Sequence, residues 1–237
     1  MLCGRGVQRR KRERGWLVGD MGLWADLIDK VAGLLAYFPP SPPTYDVGRI
    51  DTTGELRMSG NFVRETPNCK VLELETEPRR GGGGGQSIIA VHITCSGAKR
   101  TILHSHGNAV DLGIMQSVYR HLSETLGVNV LGYDYSGYGW STGKPSIRNT
   151  FADIRTCWNY LVESCGVDPK DIVLYGQSVG SGPTCEFASK LDELGGVVLH
   201  SPLASGKQVS STLIESNLVR VTGLEFHLSN LLPLFAQ

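Results

Sequence analysis

The feature that most constrains this 237-residue chain is a junction, where Ile172-Val173-Leu174-Tyr175 runs straight into Gly176-Gln177-Ser178-Val179-Gly180. The short apolar run reads as a buried strand, and the stretch from about Val179 to Leu191 reads as a helix. The five residues between them must therefore reverse the backbone sharply. Such a turn strains the central residue and crowds its neighbours, so small residues are needed at 176 and 180. It lifts the Ser178 hydroxyl above the carboxyl edge of a sheet and leaves the Val179 N–H at the helix start, where it can stabilise an oxyanion. With 30 glycines in the chain the pentapeptide alone is weak. Its strand-to-helix setting carries the argument.

The surrounding pattern supplies that setting. Cys69–Thr76 and Ser87–Cys95 read as strands joined by Arg79-Arg80 and five glycines. Thr101–His104 is a third strand, followed by a helical stretch from about Asp111 to Leu126 with Leu112, Met115, Val118, Tyr119 and Leu122 on one side. Val128–Tyr133 is a strand, Ile147–Cys165 a helix, Ile172–Tyr175 a strand and Val197–His200 another. This alternation predicts an α/β fold with a mostly parallel sheet and helices on both faces.

Zero net charge and 19% charged residues argue against a disordered chain and against a wholesale nucleic-acid binder. The balance hides an asymmetry, because residues 1–14 hold six Arg/Lys and one Glu. Residues 1–20 read as a basic, disordered extension, one that can also favour an anionic surface. Between 21 and 38, Trp24, Leu27, Val31, Leu35 and Phe38 recur at steps of three and four. That spacing fits an amphipathic helix, either packed on the domain or resting on a bilayer. Pro39-Pro40-Ser41-Pro42-Pro43 then stops the helix and forms a stiff spacer, so residues 21–45 make one unit before a core at 46–207. The six cysteines are scattered and read as reduced thiols in a cytoplasmic protein, with Cys3 a candidate for acylation beside the basic arm.

A second oxyanion donor should come from the loop after the Thr101–His104 strand, at His106-Gly107-Asn108-Ala109. Gly107 allows a tight turn, and the Asn108 N–H is the chosen donor. His106 reads as a hydrogen-bonded structural residue, His104 as a strand residue, and Asp134 as a tie for the loop that follows it. Gly137-x-Gly139 reads as turn chemistry: a dinucleotide fingerprint needs glycine at 142, which is Thr. There is no phosphate-loop lysine and no metal-ligand spacing, so neither cofactor nor metal is expected.

Several blocks resemble the α/β-hydrolase domain-containing protein 17 group. They are Leu103-His104-Ser105-His106-Gly107-Asn108-Ala109, Gly132-Tyr133-Asp134-Tyr135-Ser136-Gly137-Tyr138-Gly139, Leu174 to Thr184, and Val197-Val198-Leu199-His200-Ser201-Pro202. Phe38 to Tyr45 is similar to the start of that family. The resemblance covers about residues 32–207 and implies the α/β-hydrolase fold. It also implies a serine hydrolase that removes palmitate from S-acylated membrane proteins, working as a peripheral protein at the plasma membrane or endosomal face. By that resemblance Ser178 is the nucleophile, and Val179 and Asn108 are the oxyanion donors.

A serine nucleophile needs a histidine base and an orienting carboxylate, which in this fold follow it in the chain. Past Ser178 the histidines are His200 and His227; the acids are Glu186, Asp192, Glu193, Glu215 and Glu225. Glu186, Asp192 and Glu193 fall in or near the helix after the serine. His227 is a weak candidate base, without an acid ahead of it at the expected place. Residues 208–237 read as a divergent tail, and the last strands of the fold are expected to be missing. The expectation is therefore a hydrolase truncated or altered at its carboxyl end. Two alternatives stand beside it: a catalytically impaired binding variant lacking the Asp and His, and a broad small-ester or lipid hydrolase.

Overall fold

A computed structural model describes residues 37–78 and 85–202, together with the backbone of 220–221. The basic arm, Cys3, residues 21–36 of the amphipathic stretch and His227 lie outside the described residues.

The elements follow the sequence pattern closely, with one addition at the start. A polar hairpin, β1 (Asp46–Arg49) and β2 (Leu56–Ser59), precedes β3 (Cys69–Glu75) and β4 (Ser87–Ile93). Then come β5 (Thr101–Ser105), α1 (Leu112–Leu126), β6 (Asn129–Tyr133) and α2 (Ile147–Asn159). The chain continues through β7 (Ile172–Gln177), α3 (Ser181–Ala188) and β8 (Gly196–His200), and a two-residue β9 (Arg220–Val221) closes the described part. They form one sheet in the order β1-β2-β3-β4-β6-β5-β7-β8-β9.

The centre of the sheet is parallel, as β6, β5, β7 and β8 show, while β1 to β4 are antiparallel additions and β9 returns antiparallel on β8. Every residue of β5 is buried, as expected for a strand covered on both faces. The alternation along β4 divides the core into two layers. Ile88 and Ala90 join Leu103, Leu131, Ile154, Trp158 and Phe187 on the α2/α3 face, whereas Ile89, Val91 and Ile93 join Leu112, Met115, Tyr119 and Leu122 on the α1 face. Helices thus cover both faces.

Local signals set the helix ends. Asp111 caps α1, its side chain accepting from the Ile114 N–H, and Gly127 ends that helix at φ +63°. Ser146 caps α2 in the same way through Asn149. Two helices differ in form from the sequence expectation. A wider π turn, Tyr160–Ser164, completes the second helix. The third starts at Ser181, because a single tight turn over Ser178–Gly180 must first carry the chain out of the strand. No helix among the described residues is long and apolar enough to cross a membrane.

The candidate active site

The turn after β7 has the geometry that the sequence requires. Ser178 is the central residue and adopts φ +50°, a left-handed conformation disfavoured for any side chain other than hydrogen. The turn is held from both sides by close approach. A Cβ on Gly176 would stand 2.7 Å from Thr184 Oγ1 and 2.8 Å from the Gly180 carbonyl oxygen. One on Gly180 would overlap the Ser105 carbonyl and stand 2.8 Å from that of His106. The elbow can therefore press α3 against β5 only with glycine at both positions. The Ser181 hydroxyl donates to the Ser178 carbonyl at 2.6 Å and locks the first turn of the helix.

Parallel pairing of β5 with β7 sets Ser105 opposite Gly176. The loops that leave these two strands are consequently neighbours at the carboxyl edge of the sheet. Gly107 lies against the Gln177 side chain, 3.6 Å from where its own Cβ would be. Asn108 and Ala109 follow, and Ala109 is also left-handed at φ +57°. The structure thus brings Gln177, Ser178 and the Gly107–Ala109 loop to one edge, with Val179 buried in the turn.

His106 is wholly buried, with both ring nitrogens facing protein groups. Its Nδ1 lies 2.7 Å from the Gly107 carbonyl oxygen, which can only accept, so Nδ1 carries a hydrogen. Its Nε2 lies 3.3 Å from Asp134 Oδ1. The histidine therefore acts as a brace within the loop, as the sequence indicates. Asp134 ties more than its own loop. It accepts from the Tyr45 hydroxyl at 2.6 Å and from the Leu112 N–H at the start of α1 at 3.0 Å. Burial pushes its carboxyl above the usual range, and the neighbouring His106 ring and the Tyr45 hydrogen bond pull it back. Asp153, also buried, fixes the next loop by accepting from the Ser136 N–H and hydroxyl.

His104 faces the other layer of the core, stacked on Tyr175 at 4.5 Å and tilted on Tyr119 at 5.0 Å. Complete burial lowers its pKa to about 3, reinforced by His106 and His200, so it is neutral. His200 ends β8, with its ring edge-on to Tyr175 and its pKa lowered by burial. Among the described residues, no group of three or more His, Cys, Asp or Glu is placed to hold a metal ion. Cys69, Cys95, Cys157, Cys165 and Cys185 are free thiols.

Residues that periodicity does not single out complete the surroundings. The Pro-rich segment is laid over the carboxyl ends of β5 and β6. Thr44 binds Asp111 through both its N–H and its hydroxyl, and the Trp140 indole donates to the Tyr45 carbonyl at 2.8 Å. Tyr37 is buried edge-on to Tyr135 and Tyr138. Of these contacts, only the helix-cap character of Asp111 leaves a trace in sequence.

Comparison with known proteins agrees with this architecture. The family model described as serine aminopeptidase, S33 (Hydrolase_4) matches residues 96–231, more than half of the chain. Human α/β-hydrolase domain-containing protein 17B is 40% identical over 185 residues, and the 17C protein of Xenopus tropicalis is 38% identical over 198. Each match takes in 76% of this chain and 63% of the relative, so the chain spans less than two thirds of their length. An α/β hydrolase from Vibrio vulnificus superposes with a TM-score of 0.51 at 24% identity, over 59% of this chain and 47% of that one. The Pyrococcus furiosus esterase Pf2001 does so with a TM-score of 0.50 at 22% identity, over 70% and 56%. The chain belongs to the serine aminopeptidase, S33 family of α/β-hydrolases, and within it is similar to the domain-containing protein 17 group.

Proposed function

We propose that the chain is a serine hydrolase of acyl thioesters, acting on S-acylated proteins at a membrane surface. Ser178 attacks the acyl carbonyl, and the Val179 and Asn108 N–H groups hold the oxyanion that forms. Its collapse breaks the C–S bond, releasing the cysteine thiol and leaving an acyl-serine that water hydrolyses to the free acid. The observation that carries this reading is the left-handed Ser178 at a glycine-walled turn between β7 and α3. Strain of this kind persists only where the surroundings enforce it, and here Gly176 and Gly180 enforce it at Ser178. Family membership supports hydrolysis. The choice of thioester and of membrane rests on similarity to the 17B and 17C proteins together with the basic, amphipathic start of the sequence.

The attacking serine still needs a base to take its proton. His200 is the histidine that follows it among the described residues, and it sits in β8 against Tyr175. That placement favours, as a second reading, a variant that binds acylated proteins without turning them over rapidly. Removing a triad member from such a site typically costs about 10⁴-fold or more in rate.

Turnover of a palmitoyl thioester peptide, compared with a short-chain ester and with Ser178→Ala, tests the proposal. Hydrolysis of the thioester that Ser178→Ala abolishes supports it. Preference for the short ester points to a general esterase. Binding without hydrolysis by either substrate selects the second reading.

A further inference from the structure

The Asn108 side chain ties two parts of the molecule that lie far apart in sequence. Its Oδ1 accepts from the Phe38 N–H at 2.8 Å, from the Tyr138 hydroxyl at 2.8 Å and from the Ala109 N–H at 3.0 Å. One carboxamide oxygen has two lone pairs, so three donors more than fill it and fix its direction. The first donor belongs to the segment that crosses the carboxyl ends of β5 and β6. The second belongs to the loop after β6. The third is the next residue of Asn108's own loop, and it is the strained one, at φ +57°.

The donors are themselves anchored. Tyr37, beside Phe38, is buried edge-on to both Tyr135 and Tyr138, at 6.4 and 6.5 Å between ring centres. The Tyr135 hydroxyl donates to the His106 carbonyl at 2.6 Å, two residues before Asn108. Residues 37–38, the Tyr135–Tyr138 loop and the His106–Ala109 loop thus form one closed set of contacts on the side of the elbow away from β8. An alanine in the left-handed region is strained, so the loop keeps that shape only where its surroundings enforce it.

We propose that Asn108 is a positioning residue whose side chain clamps the oxyanion loop to the Tyr37–Phe38 strap and to Tyr138, so that seating of the strap sets the aim of the loop's backbone N–H toward Ser178. This rests on the reading of the Asn108 N–H as an oxyanion donor. It goes further by making the site conditional on a segment that precedes the core. A strap lifted from Tyr135 and Tyr138 removes one donor from Asn108 and releases the strained turn.

Amide hydrogen exchange on the full chain, resolved over residues 105–111, tests the clamp without relying on activity. Tyr138→Phe, which removes only a hydroxyl, and Tyr37→Ala, which removes the strap's buried ring, should each speed exchange in this loop about tenfold, the expected scale for one lost hydrogen bond. Amides of β5 and β7 should keep their protection. Asn108→Ala should give the larger loss, and Asn108→Asp, which retains the acceptor oxygen, should restore loop protection. Unchanged loop exchange in Tyr138→Phe overturns the clamp, as does equal loss in Asn108→Asp and Asn108→Ala. If Tyr37→Ala loosens the whole sheet, Tyr138→Phe decides. The rate of Ser178 labelling by a fluorophosphonate is read in parallel. A wild-type chain that does not label counts against the hydrolase reading, while the exchange pattern still decides the clamp.

Discussion

Gly180 abuts Ser105 so closely that no side chain can stand between them: a Cβ on Gly180 would overlap the Ser105 carbonyl. This contact joins the start of α3 to the end of β5 and sets how near the elbow lies to the neighbouring loop. Gly180→Ala must push the two elements apart, and overpacking of this kind typically costs about 1–3 kcal/mol. Urea unfolding should show that loss, and Ser178 labelling should slow by a larger factor than Tm alone suggests.

Strain at Ser178 leads to the opposite sign. Glycine accepts φ +50° freely, whereas serine does not. Ser178→Gly should therefore be at least as stable as the natural chain, by up to about 1 kcal/mol, while losing every Ser178-dependent reaction. Thermal unfolding of the two proteins side by side checks this. A clearly less stable glycine variant contradicts the strain argument.

Tyr45 and Asp134 form a buried pair whose geometry predicts an asymmetric response. Burial, aided by the Asp134 charge, keeps the Tyr45 phenol protonated at all ordinary pH values, so it remains a donor. Tyr45→Phe leaves the carboxylate short of one hydrogen bond in a dry site, a loss of about 1–3 kcal/mol. Its midpoint in urea should fall with an unchanged m-value.

His104 makes stability depend on acid. Its pKa is about 3 when folded against 6.5 for a free imidazole. Between those values the unfolded chain binds a proton that the folded chain does not. Stability therefore falls as pH drops below about 6.5, by up to about 1.4 kcal/mol per unit from this group, and levels off near pH 3. His104→Phe, which can keep the stack on Tyr175 and Tyr119, should flatten this part of the profile. Asp134, with its raised pKa, contributes with the opposite sign above the ordinary carboxylate range, so the comparison is made as a difference between the two proteins.

The strand and helix pattern from Cys69 to His200 was legible because those elements bury regular faces, and their periodicity survives in sequence. The elbow was legible for a different reason: its geometry demands glycine at 176 and 180, so sterics write it into the chain. The β1–β2 hairpin was not, since it is short, polar and buries little besides Met58. Nor was the role of residues 37–45. Proline-rich sequence reads as a spacer, yet Tyr37, Thr44 and Tyr45 are pinned by Tyr135, Asp111 and Asp134, partners 67 to about 98 residues away that leave no local signal. Brace and tie, the roles read for His106 and Asp134, agree with their contacts, but the reach of Asp134 to Tyr45 and Leu112 needed the fold.

In the proposed reaction the Ser178 hydroxyl is a reactive nucleophile. Treating the full chain with a fluorophosphonate probe, followed by peptide mapping by mass spectrometry, tests it most directly. One adduct is expected, on Ser178, absent from Ser178→Ala and slowed in Gly180→Ala. Folded protein that carries no adduct, or carries it equally in Ser178→Ala, shows that Ser178 is not a reactive nucleophile.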